Sequence, residues 1–151
     1  MTGEHTVTVS KRRLKYEFTL RENITILCGD SETGKSTLVD MLKAYNKHHN
    51  KSVVSVQSDV PCIVIDGGDW KDIISSTNNS IVFIDEGNEF IRTKEFVSCI
   101  RGTGNYYILI TRQFLKALPY SIKEIYKLKL SDNYGSTQPY CNTFERIYNY
   151  T

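Results

Sequence analysis

The chain has few of the features that mark membrane-anchored or metal-binding proteins. Its longest apolar run, around 106–110, has the length of a strand and falls far short of a membrane span. The four cysteines lie far apart and form no C-x-x-C pair, which excludes zinc and redox motifs of that type and favours buried, reduced thiols. Residues 1–13 are mostly polar and give no pattern of a signal peptide. We therefore expect a cytoplasmic protein without a membrane span.

An excess of charge of one sign is also missing. The chain carries 19 Lys+Arg and 17 Asp+Glu, so its formal net charge is +2. This balance argues neither for nor against nucleic acid as a partner, and the one basic cluster, at 11–13, is more typical of a solvated hairpin turn. Nucleic-acid binding is compatible with the sequence but is not indicated by it.

The size and composition are those of one soluble globular domain spanning 1–151, with 40% hydrophobic and 24% charged residues. Patterns typical of strands occur at 6–9, 14–20, 24–28, 53–56, 62–65, 81–84, 106–110, 125–130 and 144–148, and patterns typical of helices at 37–44, 69–74 and 93–100. Strands that alternate with helices predict a three-layer α/β fold with a largely parallel sheet. The hairpins near the two ends of the chain predict antiparallel strands at the edges of that sheet.

The most specific pattern in the chain is a phosphate-binding loop. Residues 29–36 read GDSETGKS and fit the motif G-x-x-x-x-G-K-[ST]. A strand-like apolar run precedes the loop and a helical pattern follows it, which is the context that this motif requires. We therefore predict a nucleotide site in one consecutive segment, formed by Gly29, Asp30, Ser31, Glu32, Thr33, Gly34, Lys35, Ser36 and Thr37.

The residue types of this loop suit a nucleoside triphosphate. Gly29 and Gly34 permit the backbone angles that turn successive amides toward an anion, and the following helix adds its N-terminal amides. Lys35 supplies a mobile positive charge for the β- and γ-phosphates, and the Ser36 hydroxyl is the expected Mg²⁺ ligand. Thr37 is a candidate for contact with the α-phosphate, and a plain helix-start threonine is the alternative.

A second pattern completes the predicted site. Four apolar residues at 81–84 are followed directly by Asp85 and Glu86. A buried strand of this kind delivers its last residues to the sheet edge where ligands of open α/β sheets bind. We therefore predict that Asp85 holds Mg²⁺ through a water molecule, together with Ser36, and that Glu86 accepts a proton from the water that attacks the γ-phosphate.

The loop GDSETGKST together with IVFIDE resembles the P-loop ATPases that carry a catalytic glutamate directly after the metal-binding aspartate. The order of elements is similar to a compact ABC or SMC-type ATPase head, and to small ATP-binding proteins of bacterial mobile elements and phage-related loci. The resemblance implies ATP and Mg²⁺ as cofactors, and self-association or a partner protein that closes over the nucleotide. It also implies a polar residue near the γ-phosphate at the end of the next strand, which here is Thr111 or Arg112.

The sequence departs from the ABC pattern in two places. No L-S-G-G-Q-like signature lies between Asn50 and Ser80, so a site completed by a partner's signature is not expected. Arg112 stands where an ABC head has histidine, and it can contact the γ-phosphate of its own subunit or of a neighbour, or be an exposed strand-end arginine. Arg92 and Arg101 are weaker candidates for such a contact.

These patterns favour an ATPase that couples nucleotide state to assembly or to a partner effector, with Glu86, Lys35 and Arg112 as its catalytic residues. Two alternatives stay open. The stretch 85–90, DEGNEF, is somewhat similar to the Asp-Glu-x-Gln-Phe stretch of thymidine kinases, although the zinc cysteine pairs of that family are missing. The third reading is a switch module that binds nucleotide without hydrolysing it.

Overall fold

The computed structural model describes residues 3–29, 34–48, 53–112, 120, 122–130 and 140–147. The strands among these residues are β1 His5–Lys11, β2 Leu14–Leu20, β3 Ile24–Cys28, β4 Val54–Gln57, β5 Cys62–Ile65, β6 Ile81–Ile84, β7 Tyr106–Thr111, β8 Glu124–Lys129 and β9 Tyr140–Arg146. The helices are α1 Lys35–His48, α2 Trp70–Ser75 and α3 Lys94–Ile100, with a short 3₁₀ helix at Glu89–Arg92. Every strand predicted from the sequence overlaps one of these strands, so the prediction of the individual elements is confirmed.

All of these strands join in one curled, mixed sheet of nine strands in the order β4-β1-β2-β9-β8-β3-β7-β6-β5. The pairs from β8 to β5 are parallel, and so is the pair of β2 with β9. β1 runs antiparallel to β2 and β4, and β8 runs antiparallel to β9. The predicted three-layer α/β fold with a largely parallel sheet is therefore wrong, because strands outweigh helices among the described residues and build a mixed, curled half-barrel.

The prediction of hairpins at the sheet edges is wrong for a related reason. The two antiparallel pairs β1–β2 and β8–β9 meet in the middle of the sheet, where β2 pairs in parallel with β9. Local sequence patterns identify a strand and its buried face, but the choice of neighbouring strand depends on tertiary packing. The residues Asp132-Asn-Tyr-Gly135 predict a hairpin-type turn in the connection between β8 and β9, and they lie outside the described residues.

Helix α1 lies in the concave face of this curled sheet. It contacts β4 and β5, which are the two opposite edges, as well as β1. Its buried side chains Leu38, Val39, Met41 and Leu42 pack against apolar residues of the sheet in one core. The convex side of the parallel strands forms a second core with α2, the 3₁₀ helix and α3 through Ile74, Ile91 and Phe96.

Edge strand β5 is protected by a side chain of α1. Asn46 Nδ2 donates to the carbonyl of Cys62 at 2.8 Å, and the amide of Val64 donates to Asn46 Oδ1 at 3.1 Å. These two backbone groups point away from β6, so the side-chain amide takes the place of the next strand. Unpaired edges of this kind otherwise invite pairing with another chain.

We expect Asn46→Ala to lower the free energy of unfolding by about 1–3 kcal/mol, because it leaves two partly buried backbone groups without partners. Urea unfolding followed by circular dichroism measures this loss. Asn78→Ala is the matched control, since Asn78 is exposed, and its effect should stay within about 0.5 kcal/mol. Equal stability of the two variants would show that the amide of Asn46 does not cap the edge.

Candidate functional site

The predicted site residues that the structure describes lie along one edge of the sheet. β3, β5, β6 and β7 run parallel, so their carboxyl ends lie at the same edge. Gly29 follows β3, Asp85 follows β6, and Thr111 ends β7 with Arg112 next to it. Pairing of Cys28 with Thr111 sets the phosphate loop beside the end of β7. The carboxyl edge of parallel strands is where ligands of such sheets bind.

The two ends of the phosphate loop are held together by hydrogen bonds. Both glycines have positive φ angles, 144° at Gly29 and 94° at Gly34. The amide of Gly29 donates to the carbonyl of Arg112 at 3.3 Å, and the Nζ of Lys35 donates to the carbonyl of Gly29. Lys35 is only 2% exposed, so its side chain is buried against the carbonyl of Gly29 rather than extended into solvent. Residues 30–33, which include the predicted Asp30, Ser31, Glu32 and Thr33, lie outside the described part of the chain.

Helix α1 begins directly at Lys35, and its first turn presents two further predicted residues. The amide of Leu38 donates to the carbonyl of Gly34 at 3.2 Å and opens the helix. Ser36 and Thr37 are both exposed in this first turn. The hydroxyl expected to bind Mg²⁺ is thus accessible at the N-terminus of the helix, where backbone amides favour anions.

Tyr16 supports the loop from β2, and sequence reasoning missed it. Its hydroxyl donates to the carbonyl of Gly34 at 2.9 Å, and the residue is 1% exposed. Burial raises the pKa of this phenol, while hydrogen bonds with Asn142 and Thr37 act in the opposite direction. The alternating pattern of residues 14–20 predicts a buried tyrosine, but nothing in it indicates contact with a loop eighteen residues later.

Asp85 is held by groups on both of its carboxylate oxygens. Oδ1 accepts from the amide of Glu86 at 2.8 Å, and Oδ2 accepts from the Nζ of Lys43 at 3.1 Å. The same ammonium lies 3.1 Å from Oδ2 of Asp66, the residue that follows β5. Burial opposes the charge of Lys43, but the two carboxylates raise its pKa above the usual value, and the hydrogen bond from Lys43 lowers the pKa of Asp66.

Sequence reasoning also missed Lys43 and Asp66. Asp66 directly follows the apolar run 62–65, just as Asp85 directly follows the run 81–84. This repeated pattern of a buried strand ending in aspartate could have identified Asp66. Lys43 carries no comparable pattern, because a lysine at the partly exposed face of a helix is ordinary.

A groove of about 390 Å³ opens beside these residues, and its polar lining comes from Asp85, Glu86, Asn88, Glu89, Arg92, Thr111 and Arg112. The Nε of Arg112 lies 3.3 Å from Oε1 of Glu86, with Arg112 64% exposed. Among the described residues, the buried hydroxyl of Thr111 has no hydrogen-bond partner. A buried hydroxyl without a partner is costly, and Thr111 is one of the residues that line the groove.

The two weaker arginine candidates, Arg92 and Arg101, lie in different parts of the structure. Arg92 lines the groove and its Nε lies 3.2 Å from Oε2 of Glu89. Arg101 lines a different cavity together with Asn23 and Asn105, at the opposite edge of the sheet, where β3 and β7 begin. Arg101 is therefore not brought to the site.

The described residues fit a magnesium nucleotide. They contain no cluster of three or more His, Cys, Asp or Glu side chains that could hold a metal ion without other ligands. Mg²⁺ in nucleotide sites needs no such cluster, because it keeps water ligands and uses one or two protein oxygens together with phosphate oxygens. The carboxylate of Asp85 and the exposed hydroxyl of Ser36 match that requirement.

Comparisons with protein-family models, curated proteins and solved structures found no match to this chain. The assignment of a function therefore depends on the residues and geometry of the site. No helix in the described ranges is long and apolar enough to cross a membrane.

We expect Gly34→Ala to destabilise the protein by about 1–3 kcal/mol, because a side chain at φ 94° is strained and its Cβ would lie 3.3 Å from the hydroxyl of Tyr16. Chemical unfolding measures the change. Gly68→Ala is the control, since a Cβ there meets nothing within 4 Å, and this variant should lose no stability. Equal unfolding midpoints for both variants would contradict the contact of Tyr16 with the loop.

Proposed function

We propose that this protein is a P-loop ATPase that binds ATP with Mg²⁺ at the carboxyl edge of β3, β6 and β7. The observation that carries the proposal is the buried side chain of Lys35, which donates to the carbonyl of Gly29, while Gly29 and Gly34 both have positive φ angles. Such an amine can transfer its hydrogen bonds from the carbonyl to phosphate oxygens without leaving the loop. Residues 29–37 would hold the phosphates, with Ser36 and Asp85 as the protein oxygens for the metal.

Glu86 is the proposed general base of the hydrolysis. Bound Mg²⁺ supplies neutralisation of the phosphate charge, so the protein has to orient water and take its proton. Arg112 contacts Oε1 of Glu86, which leaves the second carboxylate oxygen to accept that proton. The hydroxyl of Thr111 is proposed to donate to the γ-phosphate, since it is buried beside the groove and has no partner among the described residues.

Arg112 is proposed to act on the nucleotide of its own subunit. Its guanidinium already pairs with Glu86 of the same chain and lines the same groove. The groove is open to solvent, and water exclusion at a phosphate site requires something that closes over it. We therefore propose that nucleotide binding is coupled to self-association or to a partner protein.

The resemblance of 85–90 to thymidine kinases gains no support from the geometry. Phe90, which ends this stretch, stacks on Trp70 with ring centroids 4.5 Å apart and an angle of 5°. Packing in the second core therefore accounts for the aromatic residue. Assays of ATP hydrolysis with and without added nucleosides, DNA and RNA distinguish an ATPase from a kinase and from a module that only binds nucleotide.

We expect ATP with Mg²⁺ to raise the melting temperature, since a ligand at 100 times its Kd stabilises the native state by about 2.7 kcal/mol. Lys35→Ala should abolish this ligand-induced shift, whatever its effect on the unliganded protein. Lys47→Ala is the control, because Lys47 is an exposed lysine of the same helix and should keep the full shift. An undiminished shift in the Lys35 variant would remove the phosphate loop from the binding site.

We expect Glu86→Gln to keep the ATP-induced melting shift and to lose hydrolysis by about 10²- to 10⁴-fold, because an amide orients water but cannot take its proton. Release of inorganic phosphate under saturating ATP measures the rate. Glu95→Gln alters a glutamate of α3 that is 65% exposed and does not line the groove, and it should hydrolyse ATP at the wild-type rate. A wild-type rate in the Glu86 variant would show that the base is another group.

A further inference from the structure

A single ammonium links two strand ends at the site. The Nζ of Lys43 lies 3.1 Å from Oδ2 of Asp85 and 3.1 Å from Oδ2 of Asp66, so those two oxygens are no farther apart than twice that distance. Asn88 strengthens the link, because its Nδ2 donates to the carbonyl of Asp85 at 2.8 Å and lies 3.5 Å from Oδ1 of Asp66. The proposed metal ligand is therefore part of a shared ion-pair network rather than an isolated carboxylate.

The charge balance of this network depends on Lys43. The two aspartates and the lysine together carry one net negative charge, and without the ammonium they would carry two. A dication that binds near Asp85 experiences repulsion from the ammonium and attraction to both carboxylates. Lys43 thus competes with the metal for Asp85.

Asp66 gives Lys43 a second partner at equal distance. When the carboxylate of Asp85 binds a metal, the ammonium of Lys43 can keep its contact with Asp66 and does not become an unpaired charge. Exchange between two equivalent partners costs less than breaking an ion pair outright, because one contact is retained. The same helix carries Lys35, so the phosphate loop and this network share one rigid element.

We propose that Lys43 is a positioning residue that sets the affinity of Asp85 for Mg²⁺, and that Asp66 receives the ammonium when the metal nucleotide binds. This inference rests on the proposed function, since it takes Asp85 as the metal ligand. Lys43 acts through Asp85 and needs no contact with the nucleotide.

The test measures ATP binding by calorimetry with Mg²⁺ and with EDTA, for wild type and for Lys43→Met. The Kd measured with EDTA divided by the Kd measured with Mg²⁺ reports how much the metal contributes to binding, independently of hydrolysis. Removing the ammonium should raise this ratio by about tenfold, within the usual range of coupling between bound ligands. Lys47→Met removes an exposed charge one turn along the same helix and should leave the ratio unchanged.

Asp66→Asn tests the second half of the proposal. In the wild-type background this change leaves Lys43 with Asp85 as its one carboxylate partner in the network. The ammonium then holds Asp85 more tightly, so the Kd ratio should fall. In the Lys43→Met background the same change should alter the ratio little. An equal fall in both backgrounds would show that Asp66 acts through its own charge and would overturn its role as acceptor.

The outcomes separate the two proposals. If wild-type protein binds ATP in neither buffer, the proposed function fails. If it binds ATP and Lys43→Met leaves the Kd ratio unchanged or lowers it, Lys43 does not restrain Asp85 and the further inference is overturned. Lys43→Gln, which is also neutral but stays polar, is measured in parallel so that a folding defect of the methionine variant does not decide the result.

Discussion

Helix α1 is held between the two edges of the sheet, and its apolar face fills the concave core through Leu38, Val39 and Leu42. The polar positions of the same helix then fall at fixed places around that core. Lys35 reaches the carbonyl of Gly29 at one end, and farther along the helix Lys43 reaches the strand ends. Burial of the helix therefore fixes the distance between the phosphate loop and the carboxylates.

The positively charged side chains described at the site all contact an oxygen atom of the chain itself. Lys35 donates to a backbone carbonyl, Lys43 to two aspartates, and Arg112 lies against Glu86. Each positive group thus has an oxygen partner within the chain. A polyanion would enter by exchanging these partners for its own oxygens, and such exchange avoids leaving a charge desolvated and unpaired. The sheet edge is in this sense organised before a ligand arrives.

Short-range patterns predicted much of this chain. Alternation at 14–20 and apolar runs such as 81–84 marked the strands, and the run before Asp85 correctly indicated a buried strand with that residue directly after its carboxyl end. The predicted fold class was wrong because the sequence pattern of a strand does not indicate which other strand it pairs with. The parallel pair of β2 with β9 joins residues such as Tyr16 and Asn142, which lie far apart in the chain. The contacts of Tyr16 and Lys43 were missed for the same reason, since both depend on tertiary geometry.

The stacking of Trp70 on Phe90 has a consequence for observing this molecule in solution. Trp70 is the only tryptophan of the chain, so all indole fluorescence comes from this one ring. Phe90 belongs to the 3₁₀ helix at Glu89–Arg92, which follows the loop that carries Asp85 and Glu86. A rearrangement of that loop that moves the 3₁₀ helix would alter the surroundings of the indole. The native protein thus contains its own optical probe close in the chain to Asp85 and Glu86, and it needs no attached dye.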